Sequence, residues 1–185
     1  LSAYLEIAPS SQQAISLLTL NKTIDRKKMS APIKVAVAGF GGRMGQMIAG
    51  LVQTENSFTI SAATEAPNSN LIGQDISQSL GIQKTGVEIS SSPNMLGKNS
   101  DVIIDFTRPE ATMEHLKIAL ETNISMVIGT TGLNLAEEKK IEEASKQIPI
   151  IYCANTSIGM TLLMQQVKKI ASILDDSWDI EIVET

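Results

Sequence analysis

The residues with chemistry to offer fall into five short clusters. The first, Gly39-Phe40-Gly41-Gly42-Arg43-Met44-Gly45, directly follows the apolar, β-branched run Ile33 to Ala38. Glycines at a strand-to-helix turn let the backbone bend tightly and approach a pyrophosphate, which then lies over the positive end of the helix. The spacing departs from the usual G-x-G-x-x-G, because Gly39, Gly42 and Gly45 fall three apart with Gly41 as an extra. The second cluster is Glu65, 20 positions beyond Gly45 and at the end of the next apolar run, Phe58 to Ala63. A carboxylate there can accept from the hydroxyls of an adenosine ribose. The third, Phe106-Thr107-Arg108-Pro109, puts a cation beside a strand end, where it can meet a nicotinamide, a phosphate or an acidic substrate. The fourth and fifth are Gly129-Thr130-Thr131-Gly132 and Cys153-Ala154-Asn155-Thr156. Each cluster alone has a structural reading as a turn, a helix start or a local backbone clasp. His115, a lone helical histidine, reads as a surface or capping residue, and Cys153, with no base beside it, as a packing residue near the site.

The elements that must position these clusters alternate. A helix is expected from Met44 to Val52, a strand over Phe58 to Thr64, and a polar, glycine-punctuated loop through Gly86. A short strand at Val87 to Ser91 and a buried one at Asp101 to Phe106 follow, then a helix over Ala111 to Glu121 opened by Pro109 and capped by Thr107. Beyond lie a strand at Ile124 to Ile128, a charged helix at Leu135 to Lys146 and a strand at Ile148 to Tyr152. A long helix at Met160 to Leu174 and a strand at Trp178 to Val183 complete the chain. This alternation predicts an α/β fold, a doubly wound parallel sheet of Rossmann type, followed by the first elements of an α+β domain. Ligands of such sheets gather outside the carboxyl ends of the strands. All five clusters sit at such ends.

Composition narrows the partners. The 185 residues are 43% hydrophobic and 19% charged, enough for a real core in a soluble protein. A net charge of −5 with no basic block argues against nucleic acid, and no apolar run reaches the roughly 18 residues of a membrane span. One Cys and one His leave no disulfide framework and no Cys/His metal cluster. The expectation is a cytoplasmic protein acting on a small molecule. Residues 1–28 begin at Leu1 and end in Arg26-Lys27-Lys28, while Met29 stands four residues before the first strand. Without an Arg-rich amphipathic face they read as a non-native or leader extension, disordered, ahead of a dinucleotide-binding domain over 29–156. Residues 157–185 read as the start of an incomplete substrate-binding and oligomerisation domain.

The motifs together resemble one family. Val-Ala-Val-Ala-Gly-Phe-Gly-Gly-Arg-Met-Gly (35–45), Asp-Phe-Thr-Arg-Pro-Glu (105–110), Met-Val-Ile-Gly-Thr-Thr-Gly (126–132), Ala-Asn-Thr-Ser-Ile-Gly (154–159) and Asp-Ile-Glu-Ile-Val-Glu (179–184) are similar to those of the dihydrodipicolinate reductases. The resemblance covers about residues 33–185. It implies an NADH- or NADPH-dependent oxidoreductase of lysine (diaminopimelate) biosynthesis, reducing 4-hydroxy-tetrahydrodipicolinate to tetrahydrodipicolinate as a homotetramer. By the same resemblance Gly39, Phe40, Gly41, Gly42, Arg43 and Met44 would hold the pyrophosphate, and Glu65 the adenosine ribose. Phe106 and Arg108 would border the nicotinamide half. Gly129, Thr130 and Thr131 would touch the nicotinamide ribose and carboxamide, and Thr131 would help seat a substrate carboxylate. Cys153, Ala154, Asn155 and Thr156 would line the far side of that pocket.

Two departures from the family pattern matter. Many members follow the acid at position 65 with an Arg that pairs with the 2′-phosphate of NADPH, whereas Ala66 follows here. That tilts the expectation toward NADH. The family's His-His segment and Lys, which supply the proton donor and bind substrate, would come after the Glu-Ile-Val-Glu strand, beyond Thr185. No residue of this chain takes the proton-donor role by motif, so the chain is expected to bind cofactor with little turnover. The alternative is a catalytically inactive NAD(P)-binding fragment or module.

Overall fold

The computed structural model describes residues 4–6, 31–153, 157–174, 177–179, 181 and 183. The strands are β1 (Tyr4–Glu6), β2 (Ile33–Ala38), β3 (Phe58–Thr64), β4 (Ile89–Ser90), β5 (Val102–Asp105), β6 (Ser125–Ile128) and β7 (Ile150–Tyr152). Between and after them run α1 (Arg43–Thr54), α2 (Ile76–Leu80), a 3₁₀ turn (Pro93–Gly97), α3 (Pro109–Thr122), α4 (Leu135–Ser145) and α5 (Ile158–Ala171).

All seven strands are parallel and ordered β1-β7-β6-β5-β2-β3-β4. From β2 the chain winds outward through β3 and β4, then returns to lay β5 against the other side of β2. The sheet therefore reverses between β2 and β5, the switch point at which such folds open a crevice. Alternation along β2 feeds the two faces. Val35 and Val37 point into a core with Ala49 and Val52 of α1, Ile60, Ile76 and Ile89. Ala36 and Ala38 point into the other, with Ile103, Met126, Ile128 and Ile150 of the sheet, Leu116 and Ala119 of α3, and Ile141 and Ala144 of α4. The doubly wound sheet expected from the sequence is thus the fold.

Register puts the strand ends in a row. Ala38 stands opposite Thr64 and Asp105, Asp105 opposite Ile128, and Ile128 opposite Tyr152. The next residue on each strand opens one of the five clusters: Glu65, Gly39, Phe106, Gly129 and Cys153.

Several local expectations are corrected. The cap of α3 is Arg108 in extended conformation, with no side-chain bond; the Thr107 hydroxyl bonds to Asp105 instead. Within the loop after Glu65, the turn α2 forms because Asp75 caps it, accepting from the Ser77 N–H at 2.9 Å. In the segment read as an extension, Tyr4–Glu6 pair with β7, whose outer edge otherwise offers unpaired backbone groups. The described residues of the strand expected at Trp178 to Val183, namely 178, 179, 181 and 183, lie in no strand, for no neighbouring described strand pairs with them. No residue of α5 is buried, so its apolar positions Ile158, Leu162, Leu163 and Ile170 face outward.

Candidate dinucleotide site

The ends of β2, β3 and β5 frame a cleft of about 640 Å³. It is lined by Gly39, Gly42, Glu65, Phe106 and Arg108, all singled out by sequence, and by Thr64, Ala66, Pro67, Asn68, Ser91, Pro93, Thr107, Ala111, Glu114 and His115.

The glycines of the first wall have separable reasons. Gly39 has φ +68°, a conformation that favours glycine, and a Cβ there would lie 2.7 Å from Thr107 Cγ2. A Cβ on Gly45 would run into the Gly39 carbonyl and the Phe40 backbone. At Gly41 it would meet Glu65 Oε2 at 2.8 Å and Leu71 Cδ1 at 2.9 Å. These three are required by the protein's own packing. Gly42 differs: it is exposed to the cleft, and a Cβ would meet only the Gly39 carbonyl, at 3.3 Å. It caps α1, whose first N–H groups, on Arg43, Met44 and Gly45, have no acceptor one turn back. An open glycine, unpaired amides and the positive helix end form a cradle that fits a diphosphate. Arg43 and Met44 are exposed at its rim. Phe40 is fully buried, and its N–H donates to the Thr64 carbonyl at 2.9 Å, so it anchors the turn from below.

Glu65 is oriented before any ligand arrives. Its Oε2 accepts from the Gly41 N–H at 2.6 Å and its Oε1 from the Ala66 N–H at 2.8 Å. A carboxylate has roughly four acceptor positions, so the remaining lone pairs can still take hydroxyl donors.

The second wall is organised by Asp105, which is completely buried. Oδ1 accepts from the Thr107 N–H at 2.9 Å, the Thr107 hydroxyl at 2.6 Å and the Thr130 hydroxyl at 3.2 Å. Oδ2 lies 2.7 Å from His115 Nδ1. Thr130 also accepts from the Thr112 hydroxyl at 2.8 Å and from the Thr107 N–H at 3.1 Å. The network ties the loop after β5, the helix α3 and the end of β6 to one carboxylate. It also relocates two residues: His115 is buried rather than a surface or capping group, because its position on α3 faces Asp105, and the Thr130 side chain is committed to this network. Sequence reading passed over Asp105 and Thr112; the one available signal was an acid ending a strand, with a histidine two turns into the next helix.

Phe106 lines the cleft with its ring laid on Gly129, where a Cβ would occupy the ring's place. Arg108 is exposed at the mouth. Thr131 is exposed in the turn after β6, outside the residues lining the cleft. Cys153 is buried at the end of β7, its N–H donating to the Ile128 carbonyl at 3.0 Å. Ala154, Asn155 and Thr156 lie outside the described residues.

Comparison with known proteins places this geometry. Residues 33–156 match the family described as dihydrodipicolinate reductase, N-terminus. A 4-hydroxy-tetrahydrodipicolinate reductase of Acinetobacter baumannii is 39% identical over 156 residues, covering 84% of this chain and 57% of that relative. The chain thus spans less than two thirds of the length of the curated relatives it matches. A dipicolinate-bound dihydrodipicolinate reductase from Paenisporosarcina sp. TG-14 is similar with a TM-score of 0.57 and 25% identity, over 76% of this chain and 54% of that one. A homoserine dehydrogenase of S. aureus, with a TM-score of 0.52, 16% identity and coverage of 65% and 32%, shares the fold. The glycine turn, the strand-end carboxylate and the Arg108 loop all fall inside the matched stretch, and the chain belongs to the dihydrodipicolinate reductase family.

Proposed function

We propose that this chain is the dinucleotide-binding part of an enzyme that reduces 4-hydroxy-tetrahydrodipicolinate to tetrahydrodipicolinate in lysine biosynthesis. The observation that carries the reading is the cleft at the β2/β5 switch point, where an open glycine cradle faces a carboxylate oriented for ribose. In this reading residues 29–156 form the nucleotide domain and 157–185 begin a substrate-binding and oligomerisation domain. The amides opening α1 hold the diphosphate, Arg43 stands near it, and Glu65 takes the adenosine ribose. Phe106, Arg108, Gly129, Thr130, Thr131 and residues 153–156 border the nicotinamide half, and Thr131 helps seat a substrate carboxylate. When bound, a reduced nicotinamide supplies the hydride that reduces the unsaturated ring carbon. The chain's own contribution is to fix the dinucleotide's position and keep its reactive end at the strand edge.

NADH is the expected cofactor. Ala66 brings no cation to the site beside Glu65, and among the residues lining the cleft Arg108 is the one cation. A carboxylate pinned by two backbone amides repels a 2′-phosphate at the same ribose. The whole protein is read as a cytoplasmic homotetramer acting on a small molecule, in keeping with the outward apolar residues of α5.

Calorimetric titration of the chain with NADH and NADPH tests the binding claim. Saturable binding with NADH the tighter ligand is expected; a strong preference for NADPH sinks the cofactor assignment, and failure of both sinks the site. For the activity, the protein containing this chain should consume NADH only when the preceding synthase supplies its product.

A further inference from the structure

The residues read as bordering the nicotinamide half include two exposed side chains, Arg108 and Thr131, and neither side chain bonds to a described residue. Their placement is therefore left to the backbone of the loops that carry them. Those loops follow different strands, β5 and β6, and one residue of α3 grips both. The Thr112 N–H donates to the Arg108 carbonyl at 2.9 Å, and the Thr112 hydroxyl donates to Thr130 Oγ1 at 2.8 Å. Thr112 is completely buried and lies outside the residues lining the cleft.

The protons of this grip have one arrangement. A threonine hydroxyl carries one proton and two lone pairs. Thr130 gives its proton to Asp105 Oδ1 at 3.2 Å and takes the Thr107 N–H and the Thr112 hydroxyl on its lone pairs. The Thr107 hydroxyl gives its proton to the same carboxylate oxygen at 2.6 Å. A helical threonine commonly returns its hydroxyl to a carbonyl of the preceding turn, whereas Thr112 points its proton across to the end of β6. Every hydroxyl proton thus runs toward Asp105, and the Thr130 hydroxyl has no capacity left for a ligand. We propose that Thr112 is a positioning residue for the nicotinamide half: by holding the Arg108 loop through its amide and the Thr130–Thr131 turn through its hydroxyl, it sets their separation and so how tightly the reduced nicotinamide is held. The proposal rests on the dinucleotide reading above and adds to it the residue that aligns the two loops. The adenosine half has separate support, because Glu65 is held by the Gly41 and Ala66 amides.

The test is calorimetric titration of the 185-residue chain with NADH and with ADP-ribose, which lacks the nicotinamide. NADH should bind more tightly than ADP-ribose. T112V keeps the shape and removes the hydroxyl, and should weaken NADH about fivefold while leaving ADP-ribose unchanged. T112S restores the hydroxyl and should return NADH to within about twofold of the unsubstituted chain, a rescue that lost packing would not show. T130A cuts the same link from the β6 side and answers the question even if T112V does not fold. It should show the same selective loss, and adding T112V to it should cost NADH nothing further. Equal losses for both ligands in T112V or T130A, or no loss in either variant, overturn the proposal while the dinucleotide reading stands. NADH binding no tighter than ADP-ribose in the unsubstituted chain overturns it as well. Binding of neither ligand overturns that reading and the proposal with it.

Discussion

The two walls of the cleft are built on opposite plans. The wall after β2 is a backbone surface, made by omitting side chains at Gly39, Gly41, Gly42 and Gly45. The wall after β5 is a side-chain surface, in which Asp105 accepts four hydrogen bonds from Thr107, Thr130 and His115. One wall approaches a ligand by having nothing there. The other holds its loop in place by hydrogen bonds that converge on one buried carboxylate. The first therefore fails when an atom is added, the second when one is removed.

Adding atoms should do the greater damage. In Gly45→Val the new Cβ meets the Gly39 carbonyl and the Phe40 backbone, which cannot swing aside as a flexible side chain would. We expect NADH affinity to fall about 100-fold and stability by about 3 kcal/mol, read by calorimetry and urea midpoints. Near-normal affinity would show that the turn is not the cradle. Asp105→Ala, the matching removal, takes the shared acceptor from the Thr107 and Thr130 hydroxyls and from His115 Nδ1, while the Thr107 amide keeps only Thr130 Oγ1. The expected loss is about 2 kcal/mol, with NADH weakened about tenfold as the Thr107–Arg108 loop loosens. Unchanged stability would mean that the network does not hold the wall.

The same contrast decides what could be read from the sequence. The glycine wall is local: strand, turn and helix start lie within Ile33–Thr54, and each glycine announces a backbone requirement by its type. Glu65 was legible because the helix and strand between fix its distance from the turn. The Asp105 network joins residues 10 and 25 positions apart, and each of its members has an ordinary local use. Thr107 looks like a cap and His115 like a surface residue until β5, α3 and β6 are docked. The doubly wound parallel sheet was legible in the alternation of elements, while its strand order is seen only in the fold. The short α2 was hidden by the polar composition of its loop, because its determinant, Asp75, works through contacts made only on folding.

Asp75 repeats the carboxylate plan away from the second wall. It accepts from the Ser77 amide, the Thr85 amide and hydroxyl, and the Gly86 amide. The hydrogen bonds from Ser77 first, then those from Thr85, hold its carboxyl well below the ordinary value of 3.8. A depressed folded value means that its stabilising contribution is present above the unfolded value and is lost as pH falls below it. Urea midpoints should therefore decline below about pH 4, and D75N should flatten that decline while leaving NADH affinity near normal at pH 7. An undiminished decline in D75N would assign the acid sensitivity to other carboxylates.

The smallest expected effect is the control on which the others depend. Asn134 caps α4, accepting from Ala136 and Glu137 amides while Glu137 Oε2 accepts from the Asn134 amide at 2.8 Å. Neither residue lines the cleft. Asn134→Ala should cost about 1 kcal/mol, the usual worth of an N-cap, with NADH affinity unchanged. Stability and binding are then separable, and the affinity losses in Gly45→Val and Asp105→Ala belong to the cleft walls. If affinity instead falls in step with stability in N134A, binding reports only the folded fraction, and the distinction between a wall made by omission and a wall made by hydrogen bonds loses its functional meaning.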